Sequence, residues 1–266
     1  MLQLAQIAES TSIAVERSSA EYELADGAST RLHVVSYARE AVIPRLVQFD
    51  ELTPLLTWCE QAGQLEAIVG SFFLRRSSQL LGDMWIKGQQ VDSVPFTAPW
   101  NESRGSLSVS ADGVMAVGPR SKFPAQPSGD LLQAGPLLTH KGVSLLLDGD
   151  NPEGFSSASD QFDSDITVGR YPRAAIGLSE THIYSVVCDG YGSHEPVTND
   201  AGLSLPELAT VMVELGAEES LNLDGGGSST QISDGVLRNN PRGDGGEYKE
   251  GRGILSAIVF EPRLSL

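Results

Sequence analysis

Residues 204–230 read SLPELATVMVELGAEESLNLDGGGSST. Ser204-Leu205-Pro206-Glu207 has the S-x-x-E form, in which a serine hydroxyl and a glutamate three residues later satisfy the open N–H groups at a helix start. Leu205, Leu208, Ala209, Met212, Val213 and Leu215 recur at helical spacing up to Gly216, which predicts a helix over 205–215. Leu221 to Asp224 reads as a short buried strand, and Gly225-Gly226-Gly227 as a sharp turn. The element after this turn decides the fold class. A helix there would complete a parallel βαβ unit, whereas Gln231-Ile232 and Val236-Leu237 read as a strand and hairpin.

The rest of the chain keeps this character. Two strand-like runs flank Asp26-Gly27 between residues 22 and 37, a dipeptide suited to a tight hairpin. Thr53-Pro54 supplies an N-cap and a first-turn proline for a short helix over 54–62, closed by Gly63. Ala67 to Val69 resumes as a strand. Hairpins lie across Asp112-Gly113 and Lys141-Gly142, and another joins Ala174–Leu178 to Ile183–Asp189. Ile254 to Phe260 is a final strand. The expectation is an α+β fold: a mixed, mostly antiparallel sheet with a few packed helices. Residues 1–66 are expected as an N-terminal lobe or extension, and 67–266 as the catalytic domain.

Composition bounds the function. With 266 residues, 18 basic and 35 acidic side chains, the formal net charge is −17. A pI near 4.5 disfavours a sequence-independent hold on nucleic acid and a polybasic membrane contact, so neither partner is expected. Cys59 and Cys188 are too few for a disulfide scaffold or thiolate zinc site and read as packed core residues, with a single bridge as the lesser alternative. No secretion signal or membrane-length apolar run is visible. As written the chain is expected to be soluble and cytoplasmic, though a chain trimmed of its leader would read the same and be secreted.

Three glycines in a row remove every Cβ from the turn and let a ligand approach the main chain, while Ser228, Ser229 and Thr230 add hydroxyls. Three common readings fail. A phosphate-binding Walker loop lacks its Lys, a dinucleotide fingerprint lacks its helix, and a nucleophile elbow lacks the Gly that Thr230 replaces. A bare flexible turn is the plain alternative, but Asp224 ends an apolar strand, where a carboxylate needs partners or a task.

The block 171–230, with YPRAAIGL, VVCDG, AGLSLPELA and LNLDGGGSST, resembles the phosphodiester glycosidase family. LQAGPLL at 132–138 is similar to an upstream family segment, and Asn240-Pro241 and Arg252 to its tail. The resemblance spans about 67–260 and implies hydrolysis between an anomeric carbon and a phosphate oxygen of an N-acetylglucosamine-1-phosphodiester-like substrate. Carbohydrate or sugar phosphate is thus the expected partner, without a cofactor or metal. Phosphate leaves readily, so such a site needs oxyanion stabilisation more than a strong general acid. Arg173 and Arg252 are the cationic candidates, with backbone N–H groups of Gly226, Gly227 and Ser228 beside them. Asp189 and Asp224 each close an apolar strand before a glycine. One would activate water or stabilise the cationic centre while the other binds sugar hydroxyls or donates a proton, with the assignment open. Asn222, Gly225, Ser229, Thr230 and Gly135 complete the expected substrate-binding set. Asn222 would orient Asp224 or simply make a buried hydrogen bond.

One departure stands out. The family motif N-(A/G)-(G/Y)-F-F appears here as Val69-Gly70-Ser71-Phe72-Phe73, and valine cannot replace an amide. A non-catalytic carbohydrate-binding or surface-assembly module and a glycosidase acting on non-phosphorylated glycans therefore stay open as alternatives. His33, His140, His182 and His194 show no ligand spacing, and His194 is the one near the Asp189 loop. The acidic stretch 148–165 is expected as a long solvated loop. Asp148 and Asp150 begin like an EF-hand, but Pro152 and Glu153 stand where a ligand and a glycine belong, which leaves only adventitious calcium.

Overall fold

The computed structural model describes residues 15–147, 152–155, 166–191, 199–243 and 246–263. His194 and Asp148, Asp150, Asp160, Asp163 and Asp165 of the expected acidic loop lie outside these.

Among the described residues strand accounts for 46% against 12% helix, so the fold is predominantly β; the expected antiparallel sheet and few helices are present, but α+β overstates the helical share. Nor are the sheets mixed. Every ladder between named strands is antiparallel, and the parallel pairing described is one isolated bridge, Leu81 with Val94. Tight turns join strands that pair directly, while two helix-containing connections, from Val42–Pro54 to Ala67–Val69 and from His182–Cys188 to Glu219–Asn222, each step over one intervening antiparallel strand.

Three sheets matter. The largest has seven strands in the order Val15–Glu23, Ser29–Ala38, His182–Cys188, Arg173–Leu178, Glu219–Asn222, Leu137–His140 and Val143–Ser144. A second runs Met115–Pro119, Gly105–Val109, Asp130–Gln133, Met84–Ile86, Gln89–Gln90, and a third runs Val236–Leu237, Gln231–Ser233, Ala67–Val69, Gly253–Pro262, Val42–Pro54. Residues 15–54 enter two of these sheets: Leu32–Ala38 pairs with His182–Cys188, and Val42–Pro54 pairs with the last strand.

The helix Leu205–Glu214 has the reciprocal capping box, with Ser204 accepting from the Glu207 N–H and the Glu207 carboxylate accepting from the Ser204 N–H. Its inner face uses Val211 rather than the expected Val213, which is 37% exposed. The helix Leu55–Ala62 ends at Gly63 as expected, but Thr53 does not cap it: its hydroxyl donates to the Glu51 carbonyl. Core side chains from all three sheets, among them Tyr37, Ile68, Leu107, Ile176, Leu221 and Ile258, form one contiguous apolar cluster. Cys59 and Cys188 are both buried free thiols, and burial pushes each up to about 12. No helix among the described residues is long and apolar enough to cross a membrane.

Candidate active site

Register gathers the candidates. Arg173 opposes Cys188 and Ala175 opposes Asn222, while Leu137 opposes Leu221. The start of one strand and the ends of its two neighbours therefore meet at one end of the seven-stranded sheet, bringing Arg173, Asp189, Asp224 and Gly135 to the same side. The chain then leaves Asn222 and crosses to the third sheet at Gln231, so the glycine turn bridges two sheets. The Asp224 N–H donates to the Gly70 carbonyl (3.0 Å) and the Gly226 N–H to the Pro172 carbonyl (2.8 Å), which pins both ends of this crossing.

Gly226 has φ +58° and open space where a side chain would stand. A Cβ on Gly227 would instead come within 3.2 Å of Arg252 Nη1 and Tyr248 and 3.4 Å of the Arg242 carbonyl, so the turn is roofed on one side and open on the other. Two of the expected backbone donors are already engaged: Gly226 N–H on Pro172, and Ser228 N–H on the Gly225 carbonyl at 3.1 Å. As an anion nest the turn is correspondingly reduced.

Asp224 is 9% exposed. Its Oδ1 accepts from the Gly225 N–H (2.9 Å), while its Oδ2 has no protein partner among the described residues. Burial pushes this carboxyl above the usual range, opposed by the Arg252 charge, the Ser228 hydroxyl, the Gly225 N–H and the Arg75 charge. Around the same turn Asn222 Oδ1, Ser229 Oγ, Thr230 Oγ1 and Arg252 Nε are likewise buried without a partner. Arg252 itself donates to Ser228 Oγ and sits with its guanidinium carbon 5.5 Å from the Phe73 ring centre. Proteins rarely leave so many buried polar atoms unpaired in one place, which makes this turn the candidate site.

The other expected residues are engaged by the protein. Arg173 is 3% exposed; its Nε donates to the Leu203 carbonyl (3.0 Å) and its Nη2 to those of Ile166 (2.9 Å) and Gly169 (3.4 Å). Burial pulls it down to about 10. The guanidinium that was expected to hold phosphate oxygens thus ties loops beneath the turn. Asp189, 7% exposed, spends both oxygens: Oδ1 accepts from the Asn240 N–H (2.7 Å) and Oδ2 lies 3.1 Å from His33 Nε2. Asn222 Nδ2 donates to the carbonyls of Gly135 (2.8 Å) and Leu223 (3.0 Å), so it fastens the Gly135-Pro136 turn and does not orient Asp224. Sequence reading watched His194 and passed over His33, Tyr248 and Arg75. His33 lies on a strand whose pairing with His182–Cys188 brings it to Asp189, a contact that no local sequence signal records.

Among the described residues no group of His, Cys, Asp or Glu converges in a metal-holding set. The model of the phosphodiester glycosidase family matches residues 62–261. The chain belongs to the phosphodiester glycosidase family. No curated protein matches it in sequence. Among solved structures, the zebrafish N-acetylglucosamine-1-phosphodiester alpha-N-acetylglucosaminidase catalytic domain, auto-inhibited by its pro-peptide, superposes with TM-score 0.71 at 17% identity, covering 96% of this chain and 86% of that one. A hypothetical protein from Synechocystis gives 0.63 at 16% identity over 94% and 62% of the two chains. A Burkholderia pseudomallei protein described as exported gives 0.59 at 17% over 88% and 74%. At these identities the likeness establishes the fold. The glycosidase family carries the turn and its flanking strands within the matched span.

Proposed function

We propose that the chain hydrolyses a sugar phosphodiester at the anomeric carbon, an N-acetylglucosamine-1-phosphodiester-like compound being the leading class. Water supplies the hydroxyl that ends on the sugar, and the departing phosphate oxygen takes the proton, giving a free sugar and a phosphomonoester. The carrying observation is the set of unpaired buried polar atoms around Asp224. Asp224 is the reacting carboxyl, since one of its oxygens is uncommitted among the described residues and burial raises its proton affinity above that of an ordinary carboxylate. Arg252, half-buried with Nε unpaired, is the cation for the developing phosphate charge, a task that usually contributes 10²–10³-fold, roughly, per donor lost. Ser229, Thr230 and Asn222 offer oxygens to sugar hydroxyls. Arg173 and Asp189 hold the surrounding backbone. Family membership and the substrate in the zebrafish neighbour's name support the class.

A second reading is favoured by one residue. Val69 is fully buried, and its strand runs into Gly70, the acceptor for the Asp224 N–H, so the family amide is missing beside the reacting carboxyl. This suits a carbohydrate-binding module that has lost turnover. The test compares release of sugar from a sugar-1-phosphodiester and from the p-nitrophenyl glycoside of the same sugar, by wild type and Asp224→Asn. Release from the phosphodiester that falls about 10³-fold in the variant supports the proposal. Binding without release supports the module, and release from the aryl glycoside alone supports an enzyme for non-phosphorylated glycans.

A further inference from the structure

His33 sits on the strand Ser29–Ala38, opposite Ser19 on one side and Val187 on the other, and is 4% exposed. Its Nδ1 lies 2.9 Å from Ser19 Oγ and its Nε2 3.1 Å from Asp189 Oδ2. Arg238 Nη2 also donates to Ser19 Oγ at 3.4 Å, and the Asp189 carboxylate can only accept, so Nε2 is the donor toward it and Nδ1 is left for the Ser19 hydroxyl proton. Nδ1 then accepts, and the ring proton stands on Nε2, aimed at the carboxylate. Asp189 passes the constraint on. Its other oxygen takes the Asn240 N–H, and the neighbouring Asn239 donates Nδ2 to the Ser229 carbonyl (2.8 Å) and accepts from the Gln231 N–H (3.0 Å). Two residues later the Arg242 carbonyl lies against Gly227. A single run of hydrogen bonds therefore joins an exposed hydroxyl on the first described strand to the loop that roofs the glycine turn.

We infer that His33 is a positioning residue of the site: through Nε2–H it fixes the Asp189 carboxylate, and through Asp189 the Asn239–Arg242 loop, with Ser19 selecting the tautomer. Partners of this indirect kind orient the groups that react, and their loss in comparable sites costs about 10–100-fold. Ser19 and His33 both precede residues 62–261, so the N-terminal strands supply a part of the site that the family-matched span does not contain. The inference rests on reading the turn 224–230 as the hydrolytic centre.

Two measurements on the full chain test it. In ¹⁵N NMR of the imidazole side chains, His33 should carry an exchange-protected proton on Nε2 that shifts in Asp189→Asn, and Ser19→Ala should mix the tautomers. Protonation on Nδ1 alone, or an unprotected Nε2 indifferent to Asp189, overturns the inference. In sugar-1-phosphodiester hydrolysis His33→Ala should lose about 10–100-fold in kcat/KM. His33→Gln, whose amide nitrogen reaches the Nε2 position, should recover most of that loss. A folded His33→Ala within twofold of wild type, or a glutamine variant no better than the alanine one, also overturns it. Should His33→Ala fail to fold, Ser19→Ala on the exposed strand decides, with a threefold to tenfold loss expected and no loss contrary. If wild type releases no sugar at all, the functional reading fails by itself and the NMR result alone judges His33.

Discussion

Among the described residues Arg252 Nε has no protein acceptor beside the glycine turn, while Arg173 donates to three backbone carbonyls and is 3% exposed. The same substitution should therefore fail in two different ways. Arg252→Ala is expected to fold normally and to lose about 10²-fold in kcat on the phosphodiester, read by steady-state kinetics beside a thermal melt. Arg173→Ala strands buried carbonyls and should cost on the order of 3 kcal/mol in denaturant unfolding, with kcat/KM of the folded fraction changed far less. A similar loss of stability in both, or a tenfold larger kinetic loss for Arg173, would reverse these roles. Sequence offered Arg173 as the catalytic cation and Arg252 as a substrate-binding one because each stands in a family-like segment. Motif position does not record whether a guanidinium meets solvent or backbone oxygen, since that depends on loops at 166, 169 and 203 arriving from elsewhere.

At the scale of elements, the helix Leu205–Glu214 shows how far local chemistry reaches. Its start is specified by Ser204 and Glu207 within one turn, and Arg170 adds a 3.0 Å bond from Nε to the same glutamate. Burial opposes ionisation of Glu207, but the Arg170 and Ser204 bonds overcome it and hold the carboxyl below its usual range. Ser204→Ala should lower stability by about 1 kcal/mol in chemical denaturation, and Ser204→Asp should retain most of it; equal losses for the two would rule out capping as the cause. Hairpins across Asp26-Gly27, Asp112-Gly113 and Lys141-Gly142 were equally legible, because positive φ at Gly27, Gly113 and Gly142 is a demand on a single residue. The long strand Val42–Pro54 was not read. Its buried positions alternate at Val42, Pro44, Leu46 and again at Phe49, but the prolines at 44 and 54 and the bulged pairing to the last strand blur that period.

For the molecule as a whole, the segment 152–155 is fastened to the core through charge held in an apolar setting. Arg104 is fully buried between the rings of Phe96 and Phe155, 4.3 and 4.1 Å from their centres, and donates to the Glu153 and Gly154 carbonyls. The Glu153 carboxylate accepts from the N–H groups of Leu137 (2.6 Å) and Gly105 (2.7 Å), and burial pushes it from 4.5 up to about 7. The folded chain therefore binds a proton that the unfolded chain releases between those values. Stability from this group is fully present below about pH 4.5 and is lost as pH rises through about 7. Glu153→Gln should remove that contribution. The difference in unfolding free energy between variant and wild type is expected to move by on the order of 2–3 kcal/mol in the variant's favour from pH 4.5 to pH 8, measured by denaturant titration. A difference independent of pH would show that the carboxyl is ionised throughout.

By itself the sequence determined the turn LNLDGGGSST, the helix before it, the antiparallel habit of the hairpins and the family, because each of these is written in residues close together along the chain. Only the tertiary structure decided that residues 15–54 share sheets with the rest, that Arg173 and Asp189 are occupied from within, and that His33 stands behind Asp189. The physical reason is range. Turn geometry and capping are settled by neighbours a few bonds away, whereas burial, hydrogen-bond partners and proton affinity are set by strands that meet across 156 residues of chain, as His33 and Asp189 do.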